Sequence, residues 1–435
     1  MGILQKFFSV LVVCLLSLFV SAQETEQCGH TEYVKYLETI NPGITDNINE
    51  TFFDALKQSR LKTKRVQDTI YTIKVVFHVV YGNQVEDLPD AYITSQMKVL
   101  NDAFRRTNAD TVNTRDIFKP VAGDAGINFE LADVDPDGNP TNGIVRVKTN
   151  LVSFGSAPTN LAFADRVKES QNGSVSWDTD KYLNIWVCDL SANGQDALLG
   201  YAYPPTGAPN WNGNSVTTSA KQGVVVHYKT VGVESPFSLS TGVKTLVHEV
   251  GHYLGLRHIW GDGGCGVDDF MDDTPRARRA SNGCNKGVNT CAEPSGEEFP
   301  DMLENYMDYS TGECQNLFTN NQIAQMRSNL VTFRKGIYTT YIPEPVFPEI
   351  TSEESGIYPN PAIGEVIIQI ADADENATDY SLQIVNTLGQ VVLEKDLLSQ
   401  SRQYVSGFNG LRGSYIYRIR QGDAVLVTRK IIFGH

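Results

Sequence analysis

Three of the chain's seven histidines fall within the stretch His248-Glu249-Val250-Gly251-His252-Tyr253-Leu254-Gly255-Leu256-Arg257-His258. On a helix, residues four apart differ by about 40° and about 6 Å along the axis, so His248 and His252 share one face and can share one ion. Glu249 falls on the neighbouring flank, where it can polarise a water without ligating a metal itself. Gly255 permits a sharp turn after the helix, and that turn returns His258 as a third ligand. Three neutral imidazoles leave the fourth position of a tetrahedral zinc open, as a catalytic rather than a structural site requires. Zinc lowers the pKa of a bound water towards neutrality. Glu249 would accept its proton as the water attacks a peptide carbonyl, then hand it to the leaving amine.

Such a helix needs a scaffold, and the flanking sequence supplies one. Ile70–Tyr81 alternates in the manner of a long strand. Met97, Leu100, Ala103 and Phe104 recur at helical spacing and predict a helix over Thr94–Thr107. Ile127–Leu131, Gly143–Val147, Tyr182–Val187 and Gly223–Tyr228 read as further strands, and Ser240–Leu256 as the helix carrying the histidines. Asp135–Gly138 and Gly207–Asn214 have turn and loop chemistry. Together these describe an α/β unit that ends in a loop-rich, cysteine-stapled half. Before it, residues 23–64 are polar, with one amphipathic stretch over Thr51–Lys62, and are too short for a core of their own. Activation by cleavage would fall around Ser59–Arg65, where Arg60, Lys62, Lys64 and Arg65 cluster.

At 435 residues the chain has room for two globular units, and 41% hydrophobic with 20% charged residues is ordinary for soluble proteins. A net charge of −15 argues against nucleic acid or an anionic membrane as partner. Lys6, the apolar run Phe7–Val20 and the small Ala22 describe a secretory leader over residues 1–22. No later segment is apolar enough to span a bilayer. Export leaves six cysteines, of which Cys265, Cys284, Cys291 and Cys314 crowd together. An oxidising destination favours disulfides, three pairings are possible, and spacing does not choose among them. The absence of a CxxC spacing disfavours a second, structural zinc. Cys188, in an apolar strand, reads as a buried free thiol.

Composition changes at Tyr341. Three prolines and two acids between Ile342 and Glu349 suit a stiff linker over residues 341–355. Beyond Gly356 short strands follow at Val366–Ile370, Tyr380–Val385, Val391–Lys395, Tyr415–Arg420 and Val425–Ile432, the pattern of a small all-β sandwich.

The histidine motif together with Asn305-Tyr306-Met307-Asp308-Tyr309 matches the metzincin signature and its methionine turn. Trp260-Gly261-Asp262-Gly263-Gly264-Cys265, Asp272-Asp273-Thr274-Pro275 and Cys314-Gln315-Asn316-Leu317-Phe318-Thr319 narrow the resemblance to the pappalysin family, over about residues 70–330. The resemblance implies a metzincin fold over residues 65–340, with a twisted mixed sheet, an active-site helix and a loop-rich C-terminal subdomain. It implies Met307 as an apolar floor beneath the metal, and Tyr309 as stabiliser of the tetrahedral intermediate. It further implies the bridges Cys265–Cys291 and Cys284–Cys314. Asp268–Thr274 is dense in carboxylates, which suits calcium. By resemblance Asp269, Thr274 and the carbonyl of Asp272 would be its ligands. Cys28-Gly29 resembles the cysteine switch of similar family members, in which a thiolate occupies the open zinc position of a latent precursor. Relatives favour arginine or lysine after the scissile bond. Where they commonly carry adjacent aspartates this chain has Thr311-Gly312, so Glu313 is the candidate pocket acid.

Tyr358-Pro359-Asn360-Pro361, Leu388-Gly389-Gln390, Gly413-Ser414-Tyr415 and Lys430-Ile431-Ile432 resemble the sorting domain of type IX secretion over residues 356–435. The expectation is therefore a latent zinc endopeptidase. It would be secreted or attached to the outer cell surface by type IX machinery, and would cut extracellular proteins or peptides. An adhesin that retains a protease fold and a cell-wall peptide amidase are the alternative functions; intact Glu249 and all three histidines argue against the first.

Overall fold

The computed structural model describes residues 28–61, 69–155, 161–196, 198–206, 221–233, 242–341, 355–363, 365–371, 373–374, 376–408 and 410–434. The leader, the basic residues 62–65, the loop 207–214 and nearly all of the proline-rich linker lie outside them. The chain divides into two compact units, Met1–Pro343 and Glu344–His435.

In the first unit, strand β1 (Ile70–Tyr81) is long enough for each of its edges to serve two partners. Along one edge it pairs in parallel with β2 (Ile127–Leu131) and β3 (Ile144–Lys148). Along the other it pairs in parallel with β4 (Leu183–Cys188) and antiparallel with β9 (Tyr338–Tyr341). A short hairpin, β5 (Ser191–Ala192) with β6 (Gln195–Asp196), stands apart from this sheet. The sheet continues from β4 through β8 (Val224–His227) to the antiparallel edge strand β7 (Gly200–Ala202). Alternation sends Ile73, Val75, Phe77 and Val79 to one face. Val80, Trp186 and Val225 belong to a second apolar cluster.

Against the first face pack α3 (Asp90–Phe104) and α5 (Thr245–Tyr253); a one-turn helix, α4 (Leu161–Ala164), borders the second cluster. α3 starts four residues before the predicted helix, directly after Pro89, whose fixed φ suits a helix entrance. α5 is shorter than predicted, because a 3-10 turn over Gly242–Lys244 precedes it. A helix without a prediction, α6 (Asn320–Phe333), begins with a capping box in which the side chains of Thr319 and Gln322 satisfy each other's backbone N–H. Two disulfides, Cys265–Cys291 and Cys284–Cys314, staple the loops between α5 and α6. Cys188 is a buried free thiol.

The N-terminal segment requires a correction. It forms two helices, α1 (His30–Ile40) and α2 (Ile44–Leu61), rather than one amphipathic stretch. It has no core of its own because it uses another: Tyr33, Leu37 and Ile44 are fully buried in the cluster that holds Trp186 and Tyr201.

The second unit is a β-sandwich. One sheet contains β13 (Val391–Asp396), β12 (Tyr380–Val385), β15 (Gly413–Gln421) and β16 (Ala424–Phe433). The other contains β11 (Glu365–Gln369) and β14 (Arg402–Ser406), with β10 (Gly356–Ile363) pairing to both sheets. Asn360, in the proline-rich motif, clamps β16 by accepting from Ile432 N–H (2.9 Å) and donating to the Lys430 carbonyl (2.9 Å).

Candidate active site

All nine residues of α5 are buried. Its C-terminus is a Schellman motif: Leu256 N–H donates to Gly251 O (2.9 Å) and Gly255 N–H to His252 O (2.8 Å). Gly255 takes φ +90°, a left-handed value that a side chain would strain. The same turn presents the Leu256 carbonyl to His252, whose Nδ1 donates to it at 2.9 Å. His248 Nδ1 donates to the carbonyl of Tyr306 (2.7 Å), and His258 Nδ1 to the Asp262 carboxylate (2.8 Å). Trp260 stacks on the His258 ring with centroids 4.3 Å apart.

In a neutral ring each of these donations fixes the tautomer and leaves the lone pair on Nε2. Burial holds His248 at a pKa of about 3 and His252 well below its ordinary value, so neither is protonated near neutrality. The Nε2 of His252 nevertheless lies 3.1 Å from that of His248 and 3.0 Å from that of His258. Lone pairs converging from neutral rings repel, and a divalent cation among them removes the conflict. The donor set fits a metal ion. Cys28 Sγ joins the cluster, with one ligand atom from each of the four residues lying within 4.8 Å of the others. Burial, and then the charge of Glu249, raise the Cys28 thiol well above its ordinary value; the His30 N–H opposes this, and a bound cation would favour the thiolate further.

Glu249 is fully buried beside the edge strand β7, where a Cβ on Gly200 would approach its Cγ to 2.9 Å. Neither of its carboxylate oxygens has a partner at hydrogen-bond geometry, and burial raises its pKa well above the ordinary value. Met307 is fully buried below the helix, its Sδ 2.5 Å from where a Gly251 Cβ would stand. The Tyr309 ring lies 5.7 Å from His248 and 5.1 Å from His258, and its hydroxyl donates to the carbonyl of Cys28 at 3.1 Å.

The remaining candidates lie elsewhere. Asp269 and Thr274 are buried together, the threonine hydroxyl 2.8 Å from Asp269 Oδ1, while Oδ2 has no partner. The Asp272 side chain is exposed and pairs with Arg60. Glu313 is exposed beside the Cys284–Cys314 bridge. The acid that lines the small cavity beside His248 and Tyr309 is instead Asp308. Sequence reasoning also gave no role to Asp262, although an acid four residues after a ligand histidine is a usable signal. It missed His30 as well, whose ring stacks on His252 at 4.0 Å.

The chain matches the family described as Pregnancy-associated plasma protein-A over residues 166–331 and the Secretion system C-terminal sorting domain over 356–433. It is 32% identical over 270 residues to Extracellular metalloprotease 1 of Coccidioides posadasii, which covers 61% of this chain and 78% of the relative. It resembles mature mirolysin of Tannerella forsythia in complex with a cleaved peptide: 41% identity, TM-score 0.54, 62% of this chain and 95% of that one. A promirolysin mutant from the same organism matches at 38% identity and TM-score 0.59, over 71% of this chain and 95% of that one. The chain belongs to the pappalysin family. This pappalysin is a metalloendopeptidase carrying a type IX sorting domain, and its place is outside the cell or at the cell surface. Its family implies a metal, and peptides as substrates. Among its described residues no helix is long and apolar enough to cross a membrane.

Proposed function

We propose that the chain is a zinc endopeptidase held latent by its own N-terminal segment, with His248, His252 and His258 as zinc ligands, Glu249 as general base and Cys28 as the switch. The convergence of three tautomer-fixed Nε2 atoms beside an unpartnered carboxylate carries this reading. When bound, zinc supplies Lewis acidity to a water and to the scissile carbonyl. Glu249 takes the proton of the attacking water and delivers it to the leaving nitrogen. Burial raises its proton affinity, which suits a base that must hold a proton between two transfers. Tyr309 donates to the Cys28 carbonyl, and that carbonyl stands in for a carbonyl of the substrate chain, whose developing charge Tyr309 would stabilise. Met307 forms the apolar floor.

Two finer assignments belong to the same reading. A calcium ion held by Asp269, Thr274 and the Asp272 carbonyl would satisfy the buried, unpartnered Asp269 oxygen. A preference for arginine or lysine after the cut would rest on Asp308 at the cavity wall, with Glu313 as a rim charge; Lys244 on the same wall is neutralised by Asp110.

Digestion of a diverse peptide mixture, read by mass spectrometry with chelator and Glu249→Ala controls, tests the proposal. Chelator-sensitive cuts that vanish in Glu249→Ala are expected. Cuts that persist in the variant would remove Glu249 from its role. Loss of the arginine and lysine signal in Asp308→Asn but not in Glu313→Gln would assign the pocket acid.

A further inference from the structure

The N-terminal segment plugs a second built site besides the metal cluster. Gly29 N–H donates to the carbonyl of Gly200 on the edge strand β7 at 2.8 Å, next to Glu249. Four residues on, the Tyr33 ring is fully buried, 4.7 Å from the ring of Tyr201 on the same strand. Its hydroxyl makes two bonds to a buried ion pair: it donates to Asp165 Oδ1 at 3.1 Å and accepts from Lys168 Nζ at 3.1 Å. Asp165 and Lys168 are 2.9 Å apart with side chains 1% exposed, and Lys221 closes the other Asp165 oxygen. The Lys168 ammonium lies 5.0 Å from the centre of the Tyr33 ring, 5.3 Å from Trp186 and 5.1 Å from Tyr201, within cation–π range of all three. A ring-shaped recess with a donor and an acceptor at its floor is specific for a phenol.

We infer that release of the segment opens this recess as a substrate subsite for a tyrosine side chain, with Asp165 and Lys168 reading the hydroxyl and Tyr201 and Tyr203 holding the ring. The inference rests on the latency reading, since the recess is filled while Tyr33 stays. Its position follows from β7. Glu249 sits against Gly200 and the recess against Tyr201 and Tyr203, so at about 3.3 Å per residue an extended peptide on this edge reaches it roughly two to four residues from the cut. The residues flanking Tyr33 support a site rather than mere core packing. The segment's other fully buried side chains, Leu37, Ile44 and Ala55, are apolar and ask nothing of their surroundings, whereas the equally buried Tyr33 engages an ion pair.

The test uses the activated full-length enzyme, its new N-terminus identified by mass spectrometry. Substrates with tyrosine, phenylalanine or alanine scanned through the positions flanking the cut should show, at one fixed position, about a tenfold gain in kcat/KM for tyrosine over alanine. Tyrosine over phenylalanine should gain about fivefold there. A synthetic peptide spanning Thr31–Asn41, amidated at its C-terminus and without Cys28 and its switch thiol, should inhibit competitively, weakening about fivefold with Tyr33→Phe and failing with Tyr33→Ala. These peptide variants leave the enzyme untouched and avoid any folding defect of Asp165 or Lys168 variants. A released segment with no tyrosine preference, and equal inhibition by the parent and Tyr33→Ala peptides, would overturn the subsite alone. Residues 28–61 still attached in the active enzyme would overturn the latency reading and the subsite together.

Discussion

The metal cluster and the Tyr33 recess are both buried, both charged in their chemistry and both filled by the same short segment, yet they balance their polarity in opposite ways. At the recess, Asp165 meets Lys168 and Lys221 within the chain, and every charge has an internal partner. At the metal cluster the three histidines present Nε2 atoms to one another and neither Glu249 oxygen has a partner at hydrogen-bond geometry. The first arrangement contributes to the fold; the second is incomplete without a ligand. Buried polar groups left unmatched by the fold therefore mark where chemistry is done, and matched ones mark where the chain is held.

The sharpest way to break this contrast is to remove one charge from each site. Glu249→Ala should cut the rate of peptide hydrolysis by about 10²–10⁴-fold while leaving the thermal midpoint unchanged or raised, because an unsatisfied buried carboxylate disappears. Asp165→Asn should do the reverse to stability. Breaking a buried pair while Lys168 stays charged costs about 3–5 kcal/mol, read as a shift of the denaturant midpoint of the latent protein. Equal stability loss in both variants would erase the distinction.

Asp308 offers an intermediate case. Its Oδ1 accepts from Ser281 N–H at 2.9 Å and from Tyr309 N–H at 2.8 Å, but Oδ2 is buried without a partner. Burial raises its pKa from 3.8 to about 6. A carboxyl raised in the folded state favours the folded protein fully below 3.8, and that contribution is lost as the pH climbs through about 6. The loss is about 3 kcal/mol. In Asp308→Asn this group's contribution to the pH dependence should vanish. Urea denaturation at about pH 4 and about pH 7 measures it, and parallel pH dependences in variant and parent would refute the assignment.

How much of this was legible in the sequence follows the same division. The three histidines proposed as ligands sit four and six residues apart on one helix and its turn, so local geometry alone brings them together. The long strand at Ile70–Tyr81 and the strand at Tyr380–Val385 were readable for the same reason, since a period of two is a local signal. The Tyr33 recess was not readable. It joins residue 33 to residues 165, 168, 186 and 201, and nothing in a polar N-terminal stretch says whose core its tyrosine enters. α6 was missed although Thr319 and Gln322 stand at capping-box spacing, because its buried face is largely polar: Gln322, Gln325, Arg327, Ser328 and Asn329. A hydrophobic period was sought where hydrogen bonds hold the helix. The exposure of Glu313 and the placement of Asp308 likewise depend on how two disulfide-stapled loops cross, which spacing does not encode.

The orienting groups separate the two sites at smaller magnitude. Asp262 holds His258 in the tautomer a metal needs, so Asp262→Asn should lower metal affinity about 10–100-fold, measured by chelator competition, with little change in the apo protein's stability. Tyr33→Phe removes only a hydroxyl from the recess. The ring, with its cation–π contact, stays, but the Asp165 and Lys168 atoms that faced the hydroxyl lose one bond each. The latent form should lose about 1–2 kcal/mol, seen as faster release or proteolysis of the segment, while the released enzyme's kcat is unaffected because Tyr33 has left with it. A change in kcat of the released enzyme would mean that the segment still touches the catalytic groups after activation. The two sites would then be one coupled device, and their opposite charge balances would describe a single site rather than two.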